Sequence, residues 1–174
     1  NKAYLTFVLD DTRTEDEDYI NLFIEKGIPL SLGTNPEYLI ESALSGKKSR
    51  LDMVKKLMST GKGEILGIAG ELTEETIGNF SDMYNAFIKK KQMFNIYGLE
   101  VNGIIKPQSN KGIKINEIEE KWVVALYSFA DFYGLSVQYP GIYIDPVYFL
   151  PRTSLFSYSN NFEKMKEGID KAID

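Results

Sequence analysis

Two adjacent carboxylates, Asp10-Asp11, close the first strand-like segment of the sequence. In parallel α/β folds the carboxyl ends of strands carry the sites. A pair of acids there can supply a general base and an oxygen ligand for a hard cation. The same pair also suits a turn, whose backbone amides an aspartate caps. The chain contains no histidine and no cysteine. Ser-His-Asp triads, Cys-His dyads, HExxH zinc sites, two-His-one-carboxylate iron sites and zinc-thiolate sites are therefore excluded. What remains is carboxylate, lysine or tyrosine chemistry, a cation held by oxygen, or no chemistry at all.

The chain of 174 residues suits a single domain, 1–174, with ample length for a core. Its 43% hydrophobic and 26% charged residues mark a globular protein. Its net charge of −5 fits poorly with duplex nucleic acid, which needs a Lys/Arg surplus. The longest apolar runs, YLTFVL and WVVALYSFA, fall well short of the ~20 residues of a membrane span. No signal peptide is legible, and the first residue is Asn1, so the expectation is a domain excised from a longer chain or a processed product.

The elements that must position the acids follow from periodicity. Residues 3–9 read as a buried strand, and acids at 15–17 open a helix over 18–26 that Gly27 ends. Strands are expected at 28–33, 64–69, within 95–105 and at 135–139. Helices are expected at 37–44, 51–59, 74–93 with Thr73 as N-cap, 116–132 and 162–173. A short extended piece follows Arg152. This alternation implies a mostly parallel α/β sheet with right-handed crossovers. Five strands ending in a helix leave the sheet unfinished, with a partner strand missing.

The stretch Leu5-Thr6-Phe7-Val8-Leu9-Asp10-Asp11-Thr12 resembles the first motif of polysaccharide deacetylases, the NodB-homology domains. EKGIPLSLGTNPEYL at 25–39, LDMVKKLMSTGKGEI at 51–65 and LTEETIGNFSDMYNAF at 72–87 are similar in pattern to the family's later segments. DPVYFLPRTSL at 145–155 looks like the late segment of the variants in phage and prophage tail proteins. The resemblance covers nearly the whole chain. It implies a distorted, incomplete (β/α) barrel, with Asp10 at the position of the catalytic base and Asp11 at that of a metal ligand. Aligning Glu64-Ile65 with the family's Glu-Ile puts Ile68 and Leu72 where the two metal-binding histidines stand. Thr12 replaces the glycine after the acid pair, and Lys106 stands where an arginine orients the base. The family's last strand, with its own histidine, lies beyond Asp174.

The implied reading is a deacetylase-like domain without metal, cofactor or turnover, in which Asp10 and Asp11 are vestiges. It would serve as a structural or glycan-facing module of a phage tail, baseplate or bacterial surface protein, extracellular or virion-associated. Its expected partners are cell-wall or surface polysaccharide and other domains of the same assembly. Cleft candidates are Lys106, Arg152, Glu71 and Tyr139. Glu71, with Glu64, could complete an oxygen-only cation site, or be a solvated helix-start acid. Lys106 and Arg152 could face a ligand or form ordinary salt bridges. Tyr139 opens an aromatic stretch to Tyr158 that suits sugar stacking, a protein interface or simple packing. The basic run Lys89-Lys90-Lys91 is explained by the helix dipole. The rival function is an active carbohydrate hydrolase or deacetylase with a remodelled carboxylate-only site, pairing Asp10 with Asp11 or Glu71.

Overall fold

The computed structural model describes residues 6–10, 12–13, 16–39, 50–68, 79–105, 133–138, 150–152 and 162–173. For 133–138, 150–152 and the last two helix positions it describes the backbone alone. The strands are β1 (Phe7–Leu9), β2 (Leu30–Thr34), β3 (Gly63–Ile68), β4 (Gly103–Ile105), β5 (Tyr133–Gln138) and β6 (Leu150–Arg152). The helices are α1 (Glu17–Lys26), α2 (Arg50–Met58), α3 (Phe80–Ile96) and α4 (Phe162–Ile173). A further helical turn covers 36–39.

All six strands are parallel and stand in sequence order, β1-β2-β3-β4-β5-β6. Each strand therefore lies beside its sequence neighbour, as short βαβ crossovers dictate. Strand alternation divides the sheet into two faces. Phe7, Leu30, Leu32, Ile65 and Ile104 pack with Ile20, Phe23, Val54, Leu57, Phe87, Phe94 and Ile169 of the helices. Val8, Leu66 and Ile105 gather on the opposite face. All four helices contribute to the first cluster, so the helical layer wraps one side and leaves the second face as the interior of an incomplete (β/α) barrel.

The elements form largely where the sequence places them. Gly27 ends α1 in the left-handed conformation, φ 65°, and its amide bonds back to Ile24. The long third helix differs from expectation. It begins at Phe80, because Asn79 is extended and its side chain accepts from the Asp82 amide, an N-cap that interrupts any helix run from 74. The expected cap at Thr73 and the helices over 40–44 and 116–132 lie outside the described residues. Leu150–Arg152 is itself the sixth strand, paired with β5, so the sheet has one strand more than the sequence suggests. Pro151 hides that strand, because proline demotes a run of residues as a strand signal.

The closing helix α4 packs back on α1. The Tyr19 and Phe162 rings lie 5.3 Å apart, Ile169 is buried, and Lys26 Nζ meets Asp170 Oδ1 at 2.5 Å. The first and last helices therefore touch.

Candidate functional site at the carboxyl ends of the strands

Strand register fixes what surrounds Asp10. Leu9 is level with Leu32, so Asp10 follows beside Gly33, which is level with Leu66. One further step along that face, Ile68 stands opposite Ile105. The rungs nearest Asp10 therefore carry Leu66, Ile68 and Ile105.

Gly33 is the hub of this arrangement. A β-carbon built on it would lie 2.8 Å from Ile105 Cδ1 and 2.9 Å from Asp10 Oδ1. The isoleucine methyl and the carboxylate oxygen thus close over the same point, and only glycine leaves them room. Thr12 locks the turn after the acid pair. Its φ is 41°, a left-handed conformation unusual for a β-branched residue, and its buried Oγ1 donates to the Gly33 carbonyl at 3.0 Å. The position where the resembled family has glycine therefore keeps a glycine-like backbone, with a hydrogen bond opposing the strain.

The expected metal ligands do not assemble here. Ile68, which the resemblance aligns with the first of the two histidines, is a hydrocarbon at 9% exposure. Among the described residues no three acidic side chains come together to hold a cation. Glu64 stands two rungs below the level of Asp10 and two strands away, on the order of 12 Å between backbones. Its Oε2 accepts from Ser31 Oγ at 2.9 Å. The described side chains near Asp10 do not fit a transition metal, which needs imidazole, thiolate or several carboxylates.

The other expected site residues fare differently. Arg152 is the last residue of β6, level with Gln138 and at the same sheet end as Asp10, instead of preceding an extended piece. Asp11, Glu71, Leu72, Lys106 and Tyr139 lie outside the described residues.

Lys90 is the polar residue whose role the basic run conceals. Although it belongs to the run that the helix dipole is read to explain, it is 3% exposed. Its ammonium donates to Asn35 Oδ1 at 2.5 Å and to the Ile68 carbonyl at 2.6 Å. Its stem crosses Gly67, where an added β-carbon would lie 2.9 Å from Lys90 Cδ. The signal was present in the spacing: Met83, Phe87, Lys90 and Phe94 form one stripe at helical period, all buried. Gly33 and Gly67, inside strands, were likewise marks of close approach.

Comparison with known proteins bears on this geometry. No protein-family model matches the sequence, and no curated protein matches it. Solved structures do match. A family 4 carbohydrate esterase from Streptomyces lividans, in complex with acetate, superposes with TM-score 0.55 at 10% identity, over 77% of this chain and 62% of that one. IcaB from Ammonifex degensii gives 0.60 at 12% identity, over 88% and 68%. A mutant of a family 4 carbohydrate esterase pseudoenzyme, described as having restored enzymatic activity, gives 0.61 at 11%, over 98% and 62%. The chain thus spans less than two thirds of the length of the Streptomyces esterase. A 4-alpha-glucanotransferase from Thermococcus litoralis also matches, with TM-score 0.54 at 14% identity. A glucanotransferase and esterases on one scaffold show that the scaffold alone does not select a reaction. Sheet order, parallel pairing and these likenesses together establish the fold: an incomplete α/β barrel of the kind found in the family 4 carbohydrate esterases, the polysaccharide deacetylases.

Proposed function

We propose that this chain is a deacetylase-like domain that no longer hydrolyses. It acts as a structural or glycan-facing module of a phage tail, baseplate or bacterial surface protein, outside the cytoplasm. Its partners are surface polysaccharide and neighbouring domains of the same assembly. One observation carries the reading: the carboxylate at the base position, Asp10, shares the space over Gly33 with the methyl of Ile105, while Ile68 occupies a histidine position in a chain without histidine. A family 4 deacetylase depends on its metal as Lewis acid and as activator of water. Hydrocarbon side chains supply neither.

Two further facts support it. One matching structure is of a pseudoenzyme of this fold, so loss of activity on the scaffold has a precedent. The sheet end that carries Asp10 also carries Arg152, where β5 and β6 finish, and the sequence continues from β5 directly into the aromatic stretch that Tyr139 opens. Aromatic faces stack on sugar rings.

The test is a deacetylation assay on acetylated chitooligosaccharides and peptidoglycan fragments, with Zn²⁺, Co²⁺ and Ni²⁺ supplied in turn. The expected result is no release of acetate above the buffer rate. Turnover that Asp10→Asn abolishes would overturn the proposal and favour a carboxylate-only site.

A further inference from the structure

We propose that Lys90 is a positioning residue for the cleft rim: its buried ammonium ties the end of β3 to the segment that follows β2, and so sets the geometry of the strand ends around Asp10. The observations are independent of any metal or sugar. Lys90 rises from α3 behind the sheet, is 3% exposed, and bonds Asn35 Oδ1 and the Ile68 carbonyl. Ile68 ends β3 and Asn35 directly follows β2, the strand beside it, and the two are level, since Thr34 pairs with Gly67. Asn35 lies two residues beyond Gly33, over which the Asp10 carboxylate sits, and Ile68 is the last residue of β3. One side chain therefore holds both strand ends from which the cleft rim starts.

Two sequence features look adapted to this tie. Gly67 lacks the β-carbon that would meet the lysine stem at 2.9 Å. Lys90 occupies a core position of the α3 stripe, where a charged residue is costly unless its hydrogen bonds are made. An aliphatic residue would fill that position at less cost, so the gain is in fixing the two acceptors. The thiol- and histidine-free sequence offers no other donor of comparable reach and charge apart from arginine, whose planar fork is bulkier.

The experiment is amide hydrogen exchange on the full chain, comparing peptides over 30–39 and 63–68 with peptides over 20–26 and 50–58. Lys90→Met is expected to speed exchange about tenfold in the two rim peptides, with at most a twofold change in the helical peptides. Asn35→Leu, which removes one acceptor, is expected to speed the 30–39 peptide. Asn35→Asp, which keeps an acceptor oxygen, is expected to hold wild-type protection. Uniform acceleration in all four peptides, or none, would overturn the proposal, since a merely structural lysine lowers global stability without singling out the rim. Should Lys90→Met not fold, the Asn35→Leu and Asn35→Asp pair decides alone: equal exchange in both refutes the tie. No metal or glycan enters the readout, so failure here leaves the proposed function standing.

Discussion

Substituting Gly33 by alanine tests the packing that closes the space beside Asp10. Two effects oppose each other. Removing a glycine from the unfolded ensemble stabilises by about 0.4–1 kcal/mol where the backbone tolerates a side chain. The new β-carbon, however, would meet Ile105 Cδ1 at 2.8 Å, Asp10 Oδ1 at 2.9 Å and Asp10 Cα at 3.4 Å. Overpacking of this kind costs about 1–3 kcal/mol. The clash wins, and the expected net loss is roughly 1–2 kcal/mol, a fall in Tm of roughly 2–8 °C for a domain of this size. Ile105→Val removes the nearer of the two side-chain obstacles and alone costs about 0.5–1.5 kcal/mol. In the double variant the methyl that clashed is gone, so the losses should not add. The assay is urea unfolding of wild type, both single variants and the double variant as a cycle. The expected double variant is more stable than the sum of the singles by about 1 kcal/mol, with Asp10 preventing full recovery. Additivity within about 0.3 kcal/mol would refute the claim that Ile105 and Asp10 meet over Gly33.

Two other perturbations follow from the same structure. Thr12→Gly relieves a left-handed β-branched residue, worth about 1–2 kcal/mol, but deletes the hydrogen bond to the Gly33 carbonyl, worth about 1 kcal/mol; thermal unfolding should show a change within about 1 kcal/mol, whereas a large loss would mean that the hydroxyl does more than offset strain. Ile169→Ala should cost about 2–5 kcal/mol in urea unfolding, because it empties the buried contact of α4, while Asp170→Asn should cost under about 1 kcal/mol and lose even that in high salt, its ion pair with Lys26 being 46% and 27% exposed.

The architecture was largely legible because amphipathic period and strand–helix alternation are local signals. Ile20 and Phe23 of α1, and Val54 and Leu57 of α2, recur at helical spacing and all lie in the core. The misreadings were tertiary. Asn79 opens α3 through a side-chain cap that resembles any polar loop residue until its partner, the Asp82 amide, is known. Pro151 concealed a strand that the register with β5 defines. Lys90 groups with Lys89 and Lys91 as a run answering the helix dipole, and only the stripe through Phe87 and Phe94 marks it as buried. At the site, the absence of histidine and the place of Asp10 at a strand end were readable. The contribution of Gly33 and Ile105 was not, because it depends on four strands meeting in register.

The most direct test of the account is calorimetric titration of the wild-type chain with Zn²⁺, Co²⁺ and Ni²⁺, beside a variant carrying Ile68→His and Leu72→His. The expected result is no saturable binding to the wild type and one site per chain in the variant, lost again when Asp11→Asn is added. Tight stoichiometric binding by the wild type would contradict the account, because apolar side chains could not then have displaced the ion from its place beside Asp10.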